Sequence, residues 1–181
     1  MYTEIEAKLK VDSLEPVREK LQELGAEFVE EQFQMDILFD DANQTMIKAD
    51  SCLRFRRQIS DNQTKHILAY KGPKQDGNYK KRLEIEVEVN KNESMLMLLS
   101  ALGYESKIIV EKNRSLWRYN QCEVALDSLK LLGDFVEIEG PSEDIINDVQ
   151  KALGLEHLDN IAESYATLIM NKRDSDTKVT E

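Results

Sequence analysis

The sequence predicts an α+β fold in which about eight antiparallel strands form a barrel or strongly curled sheet with helices packed outside. Three observations predict it. Eight segments alternate with period two or are rich in β-branched and aromatic residues. Several others place apolar residues at helical spacing. The tripeptide Glu-Ile-Glu recurs as Glu4-Ile5-Glu6, Glu84-Ile85-Glu86 and Glu137-Ile138-Glu139, each copy followed by a helical pattern ending in Leu-Gly, at Gly25, Gly103 and Gly154.

Taken in order, a strand is expected over 2–11. A helix follows, with Leu14, Val17, Leu21 and Leu24 on one face, Asp12-Ser13 able to cap its first turn and Gly25 to end it. Strands are expected over 27–39, 51–59, 64–71 and 79–89, with a tight turn at Asp61-Asn62-Gln63. A second helix runs from about Asn92 to Leu102, with Met95, Leu98, Leu99 and Leu102 on one side. Strands follow over 104–119, 121–127 and 132–139. A helix from Ser142 to Leu153 carries Ile145, Ile146, Val149 and Leu153, and a last one spans Ile161 to Met170. The expected domain is 1–170, with 171–181 a polar tail that frays.

The chain has 181 residues, enough for one domain with a full core. At 41% hydrophobic and 33% charged it reads as an ordinary globular protein. No apolar run approaches the roughly 18 residues of a membrane span, and the N-terminus lacks the basic and apolar regions of a signal peptide. A cytoplasmic location with no membrane partner is therefore expected. The net charge of -11 argues against broad binding to nucleic acid. Cys52 and Cys122 lack the spacing of a zinc site or disulfide framework and are read as reduced core thiols. His66, His157 and Trp117 are read as ordinary strand or surface residues.

Side chains two apart in a strand share a face, so Glu4, Glu6 and Lys8 form one row and Ile5, Ala7 and Leu9 the other. The same split recurs in Leu53-Arg54-Phe55-Arg56, in Arg82-Leu83-Glu84-Ile85-Glu86-Val87-Glu88, in Val110 with Lys112 and Arg114, and in Val136-Glu137-Ile138-Glu139. Any one such row could be the solvated face of a sheet. The helices, however, need the apolar face, so Ile5, Leu83, Val136 and Ile138 should lie outside. The charged rows then face either bulk water or the inside of a closed barrel. Rows of one sign repel unless opposite charge or a ligand is near. Carboxylates gathered in one wet cavity suit Mg²⁺ or Mn²⁺, and facing Lys/Arg rows suit an anion such as a triphosphate.

The ordered set of motifs is more specific than any single row. Glu4-Ile5-Glu6-Ala7-Lys8 is followed by Asp36-Ile37-Leu38-Phe39-Asp40-Asp41, Leu53-Arg54-Phe55-Arg56, Tyr70-Lys71-Gly72-Pro73 and Arg82-Leu83-Glu84-Ile85-Glu86. Then come Glu111-Lys112-Asn113-Arg114, Ala125-Leu126-Asp127 and Gly133-Asp134-Phe135-Val136-Glu137-Ile138-Glu139. From Glu4 to about Met170 this succession resembles the CYTH family, or triphosphate tunnel metalloenzymes, which includes class IV adenylyl cyclases and thiamine, inorganic and RNA triphosphatases. The resemblance implies a closed antiparallel β-barrel enclosing a polar tunnel. It implies that Lys8, Arg54, Arg56, Lys71, Lys112 and Arg114, with Arg82 as a further member, hold the triphosphate. It also implies that Glu4, Glu6, Glu137 and Glu139 hold one or two divalent metals. Asp127 and either Glu84 or Glu86 would be further ligands or water-orienting bases. Phe39 stands where many relatives carry tyrosine, and no phenolic role is carried over there. Ser164-Tyr165 begins a helix resembling the family's closing helix.

The activity expected is metal-dependent hydrolysis of a triphosphate: ATP, inorganic triphosphate or thiamine triphosphate. The alternatives are class IV adenylyl cyclase chemistry, giving cyclic AMP and pyrophosphate, and a non-enzymatic polyphosphate or nucleotide sensor. A homodimer is compatible with the sequence.

Overall fold

The computed structural model describes residues 2–61, 63–76 and 79–179, without the side chains of 176–179. Its strands are β1 (Tyr2–Val11), β2 (Glu27–Asp40), β3 (Cys52–Ser60), β4 (Gln63–Lys71), β5 (Lys80–Glu88), β6 (Glu105–Tyr119), β7 (Cys122–Leu129) and β8 (Gly133–Glu139). The helices are α1 (Glu15–Glu23), α2 (Thr45–Lys48), α3 (Asn92–Ala101), α4 (Glu143–Ala152) and α5 (Tyr165–Val179). The strands close into a barrel in the order β1-β5-β4-β3-β2-β6-β7-β8, every pair antiparallel. β1 closes it by pairing with β5 through its first half, Tyr2 opposite Glu84, and with β8 through its second, Glu6 opposite Glu139 and Val11 opposite Asp134. The expected strands are all present to within about two residues. Asn62 of the expected turn lies outside the described residues, while Ser60 pairs with Gln63 across it.

Helices cover the barrel on two sides. Val17 and Leu21 of α1 and Ile146 and Val149 of α4 pack on Ala7, Leu9, Val124, Val136 and Ile138, the outward row of the strands around β1. Val136 and Ile138 are fully buried there, as their register predicts, and Ile5 is partly buried against the same cluster. Ser142 caps α4 by accepting a hydrogen bond from the Ile145 N–H. Gly140 lets α4 approach β7 closely, since a Cβ there would lie 2.6 Å from the Cys122 Sγ. On the opposite side Met95, Leu96 and Leu99 of α3 cover Phe39, Phe55 and Leu68.

Several expectations are corrected. α1 starts with Leu14 as its N-cap, without a side-chain cap, and Pro16 in its first turn; Ser13 Oγ accepts only the Glu15 N–H, at 3.3 Å. On α3 the buried face is Met95, Leu96 and Leu99, whereas Leu98 and Leu102 are exposed. No helix among the described residues covers the outer face of β5: Leu83 is half-buried, and Ile85 and Val87 are exposed. The short helix α2 is additional, held by the Asp40 carboxylate, which accepts from the N–H groups of Met46 and Ile47. The last helix begins at Tyr165 rather than Ile161 and continues to Val179, through residues expected to be a tail. Lys172 Nζ anchors that extension on the Leu131 carbonyl at 2.6 Å. α5 also packs differently from α1, α3 and α4. Its Tyr165, Ala166 and Ile169 lie on Ile108, Val110, Leu129 and Phe135; Ile108 and Val110 belong to the inward row of β6, so α5 stops one end of the barrel.

Candidate active site

The inward positions follow a period of two along the principal strands, broken where β2 shifts register between Leu38 and Phe39 and where Lys107 and Ile108 of β6 both reach the cavity. β1 presents Tyr2, Glu4, Glu6 and Lys8; β2 presents Gln32, Gln34, Asp36 and Leu38; β3 presents Cys52, Arg54, Arg56 and Gln58. Lys71 projects from β4, and Lys80, Arg82, Glu84 and Glu86 from β5. Lys112 and Arg114 come from β6 and Glu137 and Glu139 from β8. Together they line one cavity of about 560 Å³ inside the barrel. Thus Lys8, Arg54, Arg56, Lys71, Arg82, Lys112, Arg114, Glu4, Glu6, Glu84, Glu86, Glu137 and Glu139 converge although more than a hundred residues separate the first from the last.

Cross-strand ion pairs organise the wall. Arg56 grips Asp36 through two bonds, Nε and Nη2 donating at 2.7 and 2.8 Å. Lys71 donates to both Glu4 oxygens, at 2.8 and 2.7 Å, and lies 3.0 Å from Glu84. Arg54 bridges Glu84 and Glu86 at 3.3 and 2.9 Å, while its buried Nε has no hydrogen-bond partner among the described residues. Lys8 lies 3.3 Å from Glu137 and donates to the Glu163 carbonyl at 3.0 Å. Arg114 donates to both Asp127 oxygens and to Glu137.

Burial sets the ionisation of these groups. It would raise the Glu6 carboxyl, but Lys80, donating to it, prevails and holds it down to about 2. Glu139 is pushed up to about 8, by burial first and then by the charges of Glu4 and Glu6. It faces Glu6 across β1 and Glu123 across β7, with no cation at ion-pair distance among the described residues. Lys112 is lowered to about 8, by burial and by its neighbour Arg114, despite its contact with Asp127.

Three placements differ from expectation. Asp127 shares the inward face of β7 with Ala125 and stands opposite Arg114, but it is fully buried under its own partners, accepting bonds from Lys112 at 2.8 Å, Arg114 at 2.7 and 2.6 Å and the Tyr165 hydroxyl at 2.9 Å. It positions cations rather than lining the cavity. Arg82 reaches the wall, but its guanidinium clamps two loops by donating to the Asp50 and Gly72 carbonyls and the Asp50 carboxylate. Cys52 lies on the cavity wall rather than in the core, being in register with Arg54 and Arg56, whereas Cys122 is core. The sequence reading also missed Lys80, the role of Asp36 as the partner of Arg56, and Tyr165, whose ring lies under Lys8 and Lys112, 4.3 and 4.9 Å from the two ammonium groups. Lys80 was visible as the first member of the Arg82, Glu84, Glu86 row, and Asp36 as the continuation of Gln32 and Gln34.

Among the described residues, no three His, Cys, Asp or Glu side chains are gathered into a ready metal cage. A site for Mg²⁺ or Mn²⁺ does not require one, since these ions are commonly held by one or two carboxylates completed by waters and phosphate oxygens. Glu4, Glu6 and Glu139 fit that donor set: they are oxygen ligands on adjoining strands, and Glu139 has no cation at ion-pair distance among the described residues.

A closed eight-stranded antiparallel barrel that encloses opposed carboxylates and Lys/Arg side chains defines a tunnel protein with a charged interior. The CYTH domain family matches residues 2–165, and the chain belongs to that family, one of adenylyl cyclase and triphosphatase enzymes. A protein of Methanocaldococcus jannaschii named as a putative adenylate cyclase is 32% identical over 174 residues, 91% of this chain and 97% of that relative. The PH1819 protein of Pyrococcus horikoshii superposes with a TM-score of 0.83 at 28% identity, covering 94% of this chain and 99% of its own. The PH1012 protein of the same organism gives 0.78 at 29% identity, covering 91% and 98%. No helix among the described residues is long and apolar enough to cross a membrane.

Proposed function

We propose that the protein hydrolyses a triphosphate with the help of Mg²⁺ or Mn²⁺. The observation that carries this reading is the convergence of Lys8, Arg54, Arg56, Lys71, Lys112 and Arg114 on one cavity whose adjoining wall carries Glu4, Glu6, Glu137 and Glu139. The cations bind and orient the phosphates, exchanging part of their bonding to wall carboxylates for phosphate oxygens. The orphaned Arg54 Nε is a donor already desolvated and ready for such an oxygen. Glu4, Glu6, Glu137 and Glu139 would hold the divalent ion. When bound, that ion supplies charge neutralisation and Lewis-acid polarisation of the phosphoryl group. Of the carboxylates read as water-orienting, Glu84 and Glu86 are on the cavity wall and fit the role, and Asp127 does not. The free thiols of Cys52 and Cys122 suit a cytoplasmic setting.

A second reading, cyclisation of ATP, rests on the name of the Methanocaldococcus relative. Both readings use the same cations and carboxylates. Purified protein incubated with Mg²⁺ or Mn²⁺ and ATP, inorganic triphosphate or thiamine triphosphate separates them. Orthophosphate is the expected product. Cyclic AMP with pyrophosphate would replace the hydrolase reading by the cyclase one, and no product from any of the three would overturn both.

A further inference from the structure

The outer wall of the barrel carries an apolar line that one helix covers only in part. Strand pairing sets Val87 of β5 beside Leu68 of β4, Leu68 beside Phe55 of β3, Phe55 beside Ile37 of β2, and Ile37 beside Ile109 of β6. Each alternates with an inward neighbour, so all five share the outer face. α3 lies across the middle of the line, where Leu68, Phe55 and Ile37 pack with its Met95, Leu96 and Leu99. The two ends stay in water: Val87 and Ile109 are each about half exposed.

The back of α3 is apolar as well. Met97, Leu98 and Leu102 are half exposed or more, Met97 by 73%, and the sequence from Ser94 to Gly103 contains no charged residue. A helix that faces water ordinarily turns a polar and charged side outward. This one presents an apolar ridge between two apolar shoulders. Single exposed apolar residues need no explanation. Five that border one helix make a patch of several hundred Å², the size that marks an interaction site, and of the order of the roughly 800 Å² that each partner contributes to a standard interface.

We infer that this face is the interface of a two-fold homodimer in which α3 of one copy lies antiparallel beside α3 of the other. Three observations select a second copy and that sense. The exposed ridge Ser94, Met97, Leu98 and Ala101 has the spacing of one helix side and reads small, large, large, small in either direction. Such a ridge is self-complementary under the two-fold symmetry of an isologous contact. Lys91 and Glu93 are exposed at the start of α3, and Glu105 and Lys107 just past its end. Antiparallel pairing sets Lys91 against Glu105 of the other copy and Glu93 against Lys107, whereas parallel pairing sets each charge against its own kind. Finally, two chains of net charge -11 repel over most of their surface, and these two cations and two carboxylates leave this face balanced. Ile85 lies one rung along β5, opposite Tyr70, at the rim, where truncation costs little. The inference is independent of the triphosphate reading.

The test is sedimentation velocity of the full chain over a concentration series. A monomer–dimer equilibrium with a micromolar or tighter dissociation constant is expected. Met97→Glu and Leu98→Glu put charge into the patch at side chains exposed in the monomer, so the circular dichroism should stay that of the wild type. Each should raise the dissociation constant about 100-fold, because symmetry counts the change once per copy. Met97→Ser, the mildest change at the most exposed position, should raise it about tenfold and serves if a glutamate variant fails to fold. Lys91→Glu should weaken the dimer about tenfold, and adding Glu105→Lys should restore it. A wild type that is monomeric throughout the series, or a dimer unmoved by the Met97 and Leu98 variants, would overturn the interface. A charge swap that weakens the dimer further would overturn the antiparallel pairing.

Discussion

Arg56 stands directly opposite Asp36 on paired strands and holds both oxygens of its carboxylate, with the two side chains only 11% and 10% exposed. Removing the guanidinium therefore does two things: it deletes a phosphate donor and it orphans a half-dry carboxylate. Arg56→Ala should lower activity on the order of 10²-fold and cost about 2 kcal/mol of stability, less than a fully dry pair would because the cavity is wet. The double variant with Asp36→Asn should recover much of the stability and none of the activity. Chemical denaturation and kcat/KM on the wild type, the two single variants Arg56→Ala and Asp36→Asn, and the double variant check this. A double variant as unstable as Arg56→Ala would show that the orphaned charge is not the cause.

The same pair makes stability depend on acid. Burial would raise the Asp36 carboxyl, but the Arg56 guanidinium outweighs it and holds the group below the usual carboxylate range. A folded value depressed below the unfolded one, about 3.9, means that the unfolded chain binds the proton first. The stability contributed is fully present above about pH 4 and is lost as pH falls from there through the folded value. Urea midpoints measured from pH 6 to pH 2 should show a shallower acid decline in Asp36→Asn than in the wild type. Equal slopes would remove Asp36 from the acid transition and leave it to Glu6 and Glu137, which are also held low.

The three isoleucines of the repeated Glu-Ile-Glu phrase give a third prediction. Ile138 is fully buried, Ile5 partly buried and Ile85 39% exposed. Ile138→Ala should cost about 2–4 kcal/mol, and Ile85→Ala no more than about 0.5 kcal/mol. Thermal or urea unfolding decides. Similar losses at both positions would mean that the outer face of β5 is covered in solution by something this fold does not supply.

Those isoleucines also mark what the sequence could and could not disclose. Period two assigns a side chain to one face of a strand, and the charged rows read that way face the cavity, apart from Glu88 at the exposed end of β5. It says nothing of what covers the other face. The phrase repeats the chemistry of the tunnel, not the depth of the core, so Ile85 looks like Ile138 in sequence and differs in packing because α1 and α4 lie over one and no described helix over the other. α3 misled for a related reason: every position from Met95 to Leu99 is apolar, so Leu98 could not be told from Met95 and Leu96 by spacing. The four residues of α2 are too few to show a period, and the Asp40 contacts that hold it are tertiary. Cys52 was legible by register with Arg54, but its apolar character suggested the core instead.

Asp127 carries the last prediction. The family resemblance implied a further metal ligand or water-orienting base, yet the side chain is fully buried and accepts from Lys112, Arg114 and Tyr165 at once. Its charge is what allows two cations to sit side by side in a dry place. Without it, Lys112 and Arg114 repel each other, and among the described residues Glu137 is the carboxylate that remains to hold them. Asp127→Asn should thus cost about 3 kcal/mol or more, because a buried cation is left uncompensated, and should reduce activity through misplaced donors. Tyr165→Phe removes one neutral donor and keeps the ring under Lys8 and Lys112, so about 1 kcal/mol is expected. The informative comparison is stability against activity: a positioning residue loses both together. An Asp127→Asn protein with wild-type unfolding behaviour and a collapsed kcat would return Asp127 to the role of base or metal ligand, and would mean that the wall opens over it when the triphosphate binds.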